Sequence, residues 1–234
     1  MKKVINFFLK ALPIISVCIT LAFGVILGTF ARREYYKIDA LMKENARLRQ
    51  EKEAREFRIV TMERSILLVY PNISTYEAHY YSIIFDDFSQ KDSVPWEAYA
   101  ALVRIESNFN PTTMSSARCK GLTQLKEGTA KDIAEKLGII YNEATLWNEI
   151  LNMVIGLTYF GEGFKEKKDS LGVDEALKHA MQRYCGGPSY KKINPESKVY
   201  VGEYKSTLWL EYTRLSYVYK GMLYDALKKD HPPA

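Results

Sequence analysis

The start of the chain constrains it most. Residues 11–30 read ALPIISVCITLAFGVILGTF, twenty residues without a charge. As a helix rising 1.5 Å per residue, such a run is roughly 30 Å long, the thickness of a bilayer's hydrocarbon core. A cleaved signal peptide would carry a shorter apolar stretch followed by small residues, and Thr29-Phe30-Ala31 is a poor cleavage point. Cys18 follows Ile15-Ser16-Val17, a weak lipid-attachment motif because Val17 is not small. Residues 1–30 therefore read as an uncleaved signal-anchor crossing the membrane once as a transmembrane helix. Lys2, Lys3 and Lys10 precede the run, and Arg32, Arg33 and Lys37 follow it. Flanking charge therefore does not decide the orientation. No second apolar run of this length occurs, so the remainder is expected to be one body on one side of the membrane.

Residues 31–70 contain neither Gly nor Pro and are dense in charge, which favours helix. Heptad spacing picks out Ile38, Leu41, Asn45, Leu48, Lys52, Arg55, Ile59, Met62, Ile66 and Val69, seven of which are apolar. Asn45 at an a-like position is the kind of residue that fixes register in a dimer. Segment 31–71 is thus expected to be a helical stalk, either a coiled coil through which the chain self-associates or a solvated spacer. Pro71 ends it.

Residues 72–234 are long enough to bury one real core. Apolar residues there recur at helical spacing, as in Ala176, Leu177, Ala180, Met181 and Tyr184, and alternation is nearly absent. An all-α domain of about six to eight helices is expected. The composition, 47% hydrophobic and 26% charged, excludes wholesale disorder and collagen. A net charge of +5 suits an acidic polymer or a membrane surface without demanding nucleic acid. His79, His179 and His231 stand far apart, which argues against a histidine-based metal site. Three cysteines do not make a disulfide scaffold.

The segment 93–125 carries the chemistry. Ser93 and Pro95 suggest a helix start, followed by WEAYAALVRIES. At about 100° per residue, Glu97, Ala101, Arg104 and Asn108 fall on one polar stripe. Glu106 falls on the opposite side, among Tyr99, Leu102 and Val103. Burial there would raise its pKa, and a carboxylic acid kept protonated near neutrality is what a general acid needs. The alternative is a helix-end Glu that reaches solvent ahead of Pro111.

Beyond periodicity, Glu106-Ser107-Asn108-Phe109-Asn110-Pro111 is followed by Ser115 and then by Gly121-Leu122-Thr123-Gln124-Leu125. This resembles the SLT-type, goose-lysozyme-like lytic transglycosylases, whose pattern is E-S-x-F-x-P, a Ser nine residues after the Glu, and G-L-M-Q-[IL]. Thr123 stands where the family has Met. The resemblance continues through Thr129-Ala130, through Asn152, Gly156 and Tyr159, through Tyr184 with Gly186-Gly187-Pro188, and through Tyr200-Val201. It spans roughly residues 92–205. Two departures stand out. Cys185 replaces the Asn that helps hold the substrate's N-acetyl group, and Arg118-Cys119 replaces Gly-Ala.

The resemblance implies a lysozyme-like helical domain that cleaves peptidoglycan between N-acetylmuramic acid and N-acetylglucosamine, with Glu106 as acid and then base. It implies roles for Ser115 and Gln124 in orienting acid and sugar, and places Tyr184, Cys185 and Tyr159 at the substrate. It implies neither metal nor organic cofactor. It also implies that Cys119 and Cys185 line one cleft, with a bridge between them left open. Peptidoglycan lies outside the cytoplasmic membrane, so the domain is expected on the periplasmic or outer side. A lysozyme-like hydrolase and a non-catalytic scaffold of the same fold remain the alternatives.

Overall fold

The computed structural model describes the backbone of residues 2–187 and 195–230, and their side chains except at 2–15, 18, 195–200, 224 and 226–230. The expected turn at Pro188 and the side chains of Cys18 and Tyr200 lie outside these. Six helices follow in order: α1 (Lys2–Val69), α2 (Thr75–Asp92), α3 (Trp96–Ser107), α4 (Glu127–Lys136), α5 (Glu149–Gly186) and α6 (Pro195–Asp230). Among the described residues the only β structure is two isolated bridges, Met114 with Lys120 and Lys120 with Leu125. The all-α expectation holds. The chain divides into two compact units, Met1–Glu56 and Phe57–Ala234.

The first unit is α1 up to Glu56. In its apolar run Val17, Ile19, Leu21, Phe23, Val25, Ile26 and Phe30 are all more than half exposed. Further along, Glu34–Lys37, Asp39–Lys43 and Glu44–Arg47 pair across single turns at 2.7, 2.8 and 2.7 Å. Among the described residues no helix is long and apolar enough to cross a membrane. Part of the run, at 11–15 and 18, has no described side chains.

The second unit begins at Phe57, ahead of the expected boundary at 71. Ile59, Met62, Ile66 and Val69, four of the heptad positions assigned to the stalk, are buried, and the last three belong to this unit's main core. Heptad spacing marks an apolar helix face without saying whether the same chain or another copy covers it. Ile38, Leu41 and Leu48 remain exposed.

Arg58 donates to Asp86 at 2.9 Å, tying the end of α1 to α2. Ser74 and Glu77 form a reciprocal capping box at the start of α2. Ser93, expected to open α3, instead closes α2 in a left-handed conformation, its N–H donating to Ser89 O at 2.8 Å. Pro95 takes the N-cap position of α3.

Helix α3 is the hub, packed against α2 and α6. Every residue from Trp96 to Val103 is buried. The expected polar stripe is therefore corrected, since Glu97 is only 6% exposed. Ala98, Ala100 and Ala101 explain this, because small side chains let neighbouring helices close in on all sides. Helix α5 breaks at Gly172, whose φ of 77° is the left-handed region glycine tolerates. A second, smaller core of Leu125, Ala130, Ile133, Ala134, Leu146, Ile155 and Tyr159 joins α4 to the first half of α5.

Candidate active site

Glu106 lies on the last turn of α3, where Asn108 caps the helix in a left-handed conformation and Phe109 follows with φ 62°. Phe109 turns back into the core, 5.3 Å from the Tyr70 ring and 5.8 Å from Tyr81 between centroids. The Glu106 side chain is half-buried, and burial pushes its pKa up to about 7. The hydroxyl of Tyr204, on α6, donates to Glu106 Oε1 and opposes that rise by favouring the ionised form.

Tyr184 completes the surroundings. Its hydroxyl donates to Thr123 O at 2.7 Å. Burial and the nearby Glu106 push its own pKa well above the ordinary tyrosine value. Burial and Glu106 act in the same direction on Tyr204. Cys119 lies close enough to act electrostatically on Tyr184, as Cys185 does on Tyr204. Each of these two tyrosines thus has a thiol nearby, and no disulfide joins Cys119 to Cys185.

Ser115 and Gln124 hold the loop in shape. Ser115 Oγ accepts from Cys119 N at 3.1 Å, closing a tight turn in which Arg118 takes φ 59°. The Gln124 carboxamide nitrogen donates to Thr113 O and Gly121 O, both at 2.9 Å. Neither contact reaches Glu106, so these side chains shape the 113–124 loop itself. Tyr159 stands further back. It is buried in the smaller core, its ring 5.3 Å from Tyr184 and 4.6 Å below the Arg183 guanidinium. It backs Tyr184 and is only 7% exposed.

Asn152 is the clamp of the loop. Its Oδ1 accepts from Thr123 N at 2.9 Å and from Thr123 Oγ1 at 2.7 Å. Its Nδ2 donates to Lys120 O at 2.9 Å and Leu146 O at 3.0 Å. A Cβ on Gly121 would sit 2.2 Å from Asn152 Nδ2, and one on Gly156 would sit 2.2 Å from Thr123 Oγ1. Both glycines are therefore required by close approach. Thr123, in place of the family's Met, fits here because its hydroxyl bonds Asn152 while its branch lies over Gly156.

Tyr204, the hydroxyl partner of Glu106, carries no signal in the sequence. It sits 98 residues from Glu106 on a long helix, one of seventeen tyrosines, and no spacing distinguishes it. Glu97, buried with its pKa raised by desolvation, was likewise not anticipated as a buried acid.

Residues 84–197, just under half of the chain, match the family model described as "Transglycosylase SLT domain". Among solved structures the chain is similar to the 70 kDa soluble lytic transglycosylase from Escherichia coli. Identity is 19% and the TM-score 0.47, over 61% of this chain and 24% of that one. The chain thus spans about a quarter of that protein's length. No curated protein matches the chain.

Proposed function

We propose that the chain is a membrane-anchored peptidoglycan lytic transglycosylase that breaks the β-1,4 bond from N-acetylmuramic acid to N-acetylglucosamine without adding water. The observation that carries this reading is the half-buried carboxyl of Glu106 within the matched segment, its pKa pushed up to about 7 and its oxygen bonded by Tyr204, with Tyr184 nearby. Usual glycosidases need two carboxylates, and substrate-assisted ones do not. Glu106 gives its proton to the glycosidic oxygen as the bond to C1 breaks. The sugar's own acetamido oxygen closes on C1. Glu106, now a carboxylate, takes the proton of the C6 hydroxyl, O6 bonds to C1, and the acetamido oxygen leaves. The product is a 1,6-anhydromuramic end and a free N-acetylglucosamine 4-hydroxyl. Tyr204 steadies the carboxylate between the two transfers, and Tyr184 walls the cleft with Cys185 beside it.

Exposed apolar residues from Val17 to Phe30 support the anchor, since a helix segment apolar all round needs lipid or protein around it. Tyr35, Tyr36, Arg32, Arg33 and Lys37 after the run suit a membrane interface. The domain then lies outside the cytoplasmic membrane, where peptidoglycan is. The exposed Ile38, Leu41 and Leu48 support self-association of the stalk.

Mass spectrometry of muropeptides released from purified sacculi by the full chain tests the chemistry. The expected fragments are lighter by one water than hydrolysis products. Reducing muramic ends alone would make the protein a lysozyme-like hydrolase, and no release at all would make it a scaffold.

A further inference from the structure

On the side of α3 away from Glu106 lies a cavity of about 190 Å³. It is formed where the end of α1, the start of α2, the end of α3 and α6 meet, with Tyr70, Asn72, Glu77, Arg104, Asn108 and Arg214 among its walls. Arg104 and Asn108 are each two residues from Glu106, hence roughly 200° around the helix. An occupant here does not compete for the position of the cleaved bond.

Arg104 is the unusual member. It is half-buried, and its guanidinium lies 5.5 Å from the centre of the Tyr70 ring. Among the described residues no carboxylate comes within 4 Å of it, although other half-buried or buried arginines, Arg58 and Arg183, each have one. A guanidinium drawn from water without an anion is costly, and a ring face offsets only part of that cost. Arg214 is held loosely, 3.9 Å from Glu211, whose carboxylate is also taken by the Tyr70 hydroxyl at 3.1 Å. Glu77 is engaged with Ser74. Two guanidinium groups and two asparagine amides therefore face space several times the ~30 Å³ share of one water.

The planar fork of arginine matches a carboxylate. Glu77 and Glu211 nearby disfavour a doubly charged phosphate. We propose that this cavity is a carboxylate site, gripped by Arg104 and Arg214, and that it receives the free carboxylate of a peptidoglycan stem peptide. The choice of stem peptide rests on the function proposed above. The carboxylate chemistry does not. Occupancy would hold the turn of α3 that carries Glu106 and register the glycan by its peptide.

The test uses the full chain in detergent with three probes: acetate, N-acetyl-alanyl-alanine and the uncharged amide of that dipeptide. Arginine side-chain N–H resonances report binding. Acetate and the acid dipeptide are expected to shift them saturably, and the amide is not. Arg104→Gln should weaken the dipeptide at least tenfold. Arg214→Gln, on the rim, should weaken it severalfold and gives the same reading if Arg104→Gln does not fold. In turnover, Arg104→Gln should lower about tenfold the ratio of kcat/KM on stem-bearing glycan to that on glycan stripped of its peptides. Absence of a saturable shift with either acid would overturn the site. Binding of both acids with an unchanged turnover ratio would overturn the stem peptide as occupant. If the wild-type chain cleaves no glycan, the proposed function fails while the dipeptide titration still decides the site.

Discussion

A carboxyl shielded from water and touched by one hydroxyl behaves differently from a surface glutamate, and Glu106 makes the difference measurable. Its folded-state pKa of about 7 lies above the ordinary 4.5, so folding favours the protonated form. That contribution to stability is complete below pH 4.5 and is lost as pH rises through about 7. Denaturant melts across pH 4–8 should show stability falling over this window. Glu106→Gln should flatten the fall while leaving the share of Glu97, which burial pushes the same way. The same variant should lose at least ~100-fold in sacculus solubilisation with unchanged circular dichroism, because an amide cannot donate the proton. Release of muropeptides at the wild-type rate would refute the acid assignment. Tyr204→Phe removes the donor that favours the ionised form. The alkaline limb of the activity profile should then move up by about 1–2 pH units, the scale of a hydrogen bond to a charged group. A limb that stays in place would show that Tyr204 does not govern the acid.

Loop and helix are joined at Asn152, which spends its whole side chain on the 120–123 backbone, Thr123 Oγ1 and Leu146 O. Asn152→Ala leaves several buried polar groups unmatched and should cost about 2–4 kcal/mol in urea unfolding. It should also reduce turnover, since Tyr184 takes its hydrogen-bond acceptor from the same loop. A loss below 1 kcal/mol would mean water replaces the clamp. At this scale the sequence was legible where the signal was local. The position of Glu106 among apolar neighbours and the all-helical pattern could be read from spacing, and the Gly121–Leu125 motif from its resemblance to a family pattern. What escaped was whatever another element decides. Glu97 looked exposed because period alone shows a stripe, and only the packing of α2 and α6 around the alanines of α3 buries it. Ser93 carries the same residue type for ending one helix as for starting the next. Tyr159 matched the family's position, yet its burial depends on Arg183 and Tyr184, which lie a long way along the chain.

For the molecule as a whole, the apolar start and the folded remainder make separable predictions. The full chain should stay with membranes through an alkaline carbonate wash, and a form lacking residues 1–30 should be released. Retention of the shortened form would move the membrane attachment elsewhere. Truncation at 71, the boundary suggested by Pro71, should unfold or strongly destabilise the domain, because it deletes Met62, Ile66 and Val69 from the core. Melting temperature of fragments starting at 50 and at 72 distinguishes the two boundaries. The partner of Glu106 also has a consequence in time. Tyr204 arrives nearly a hundred residues after the acid during synthesis, on the last helix. A nascent chain that has not yet delivered α6 carries Glu106 without Tyr204 and with one wall of its hub helix uncovered. Glu106 therefore meets its hydroxyl partner only once α6 has been made.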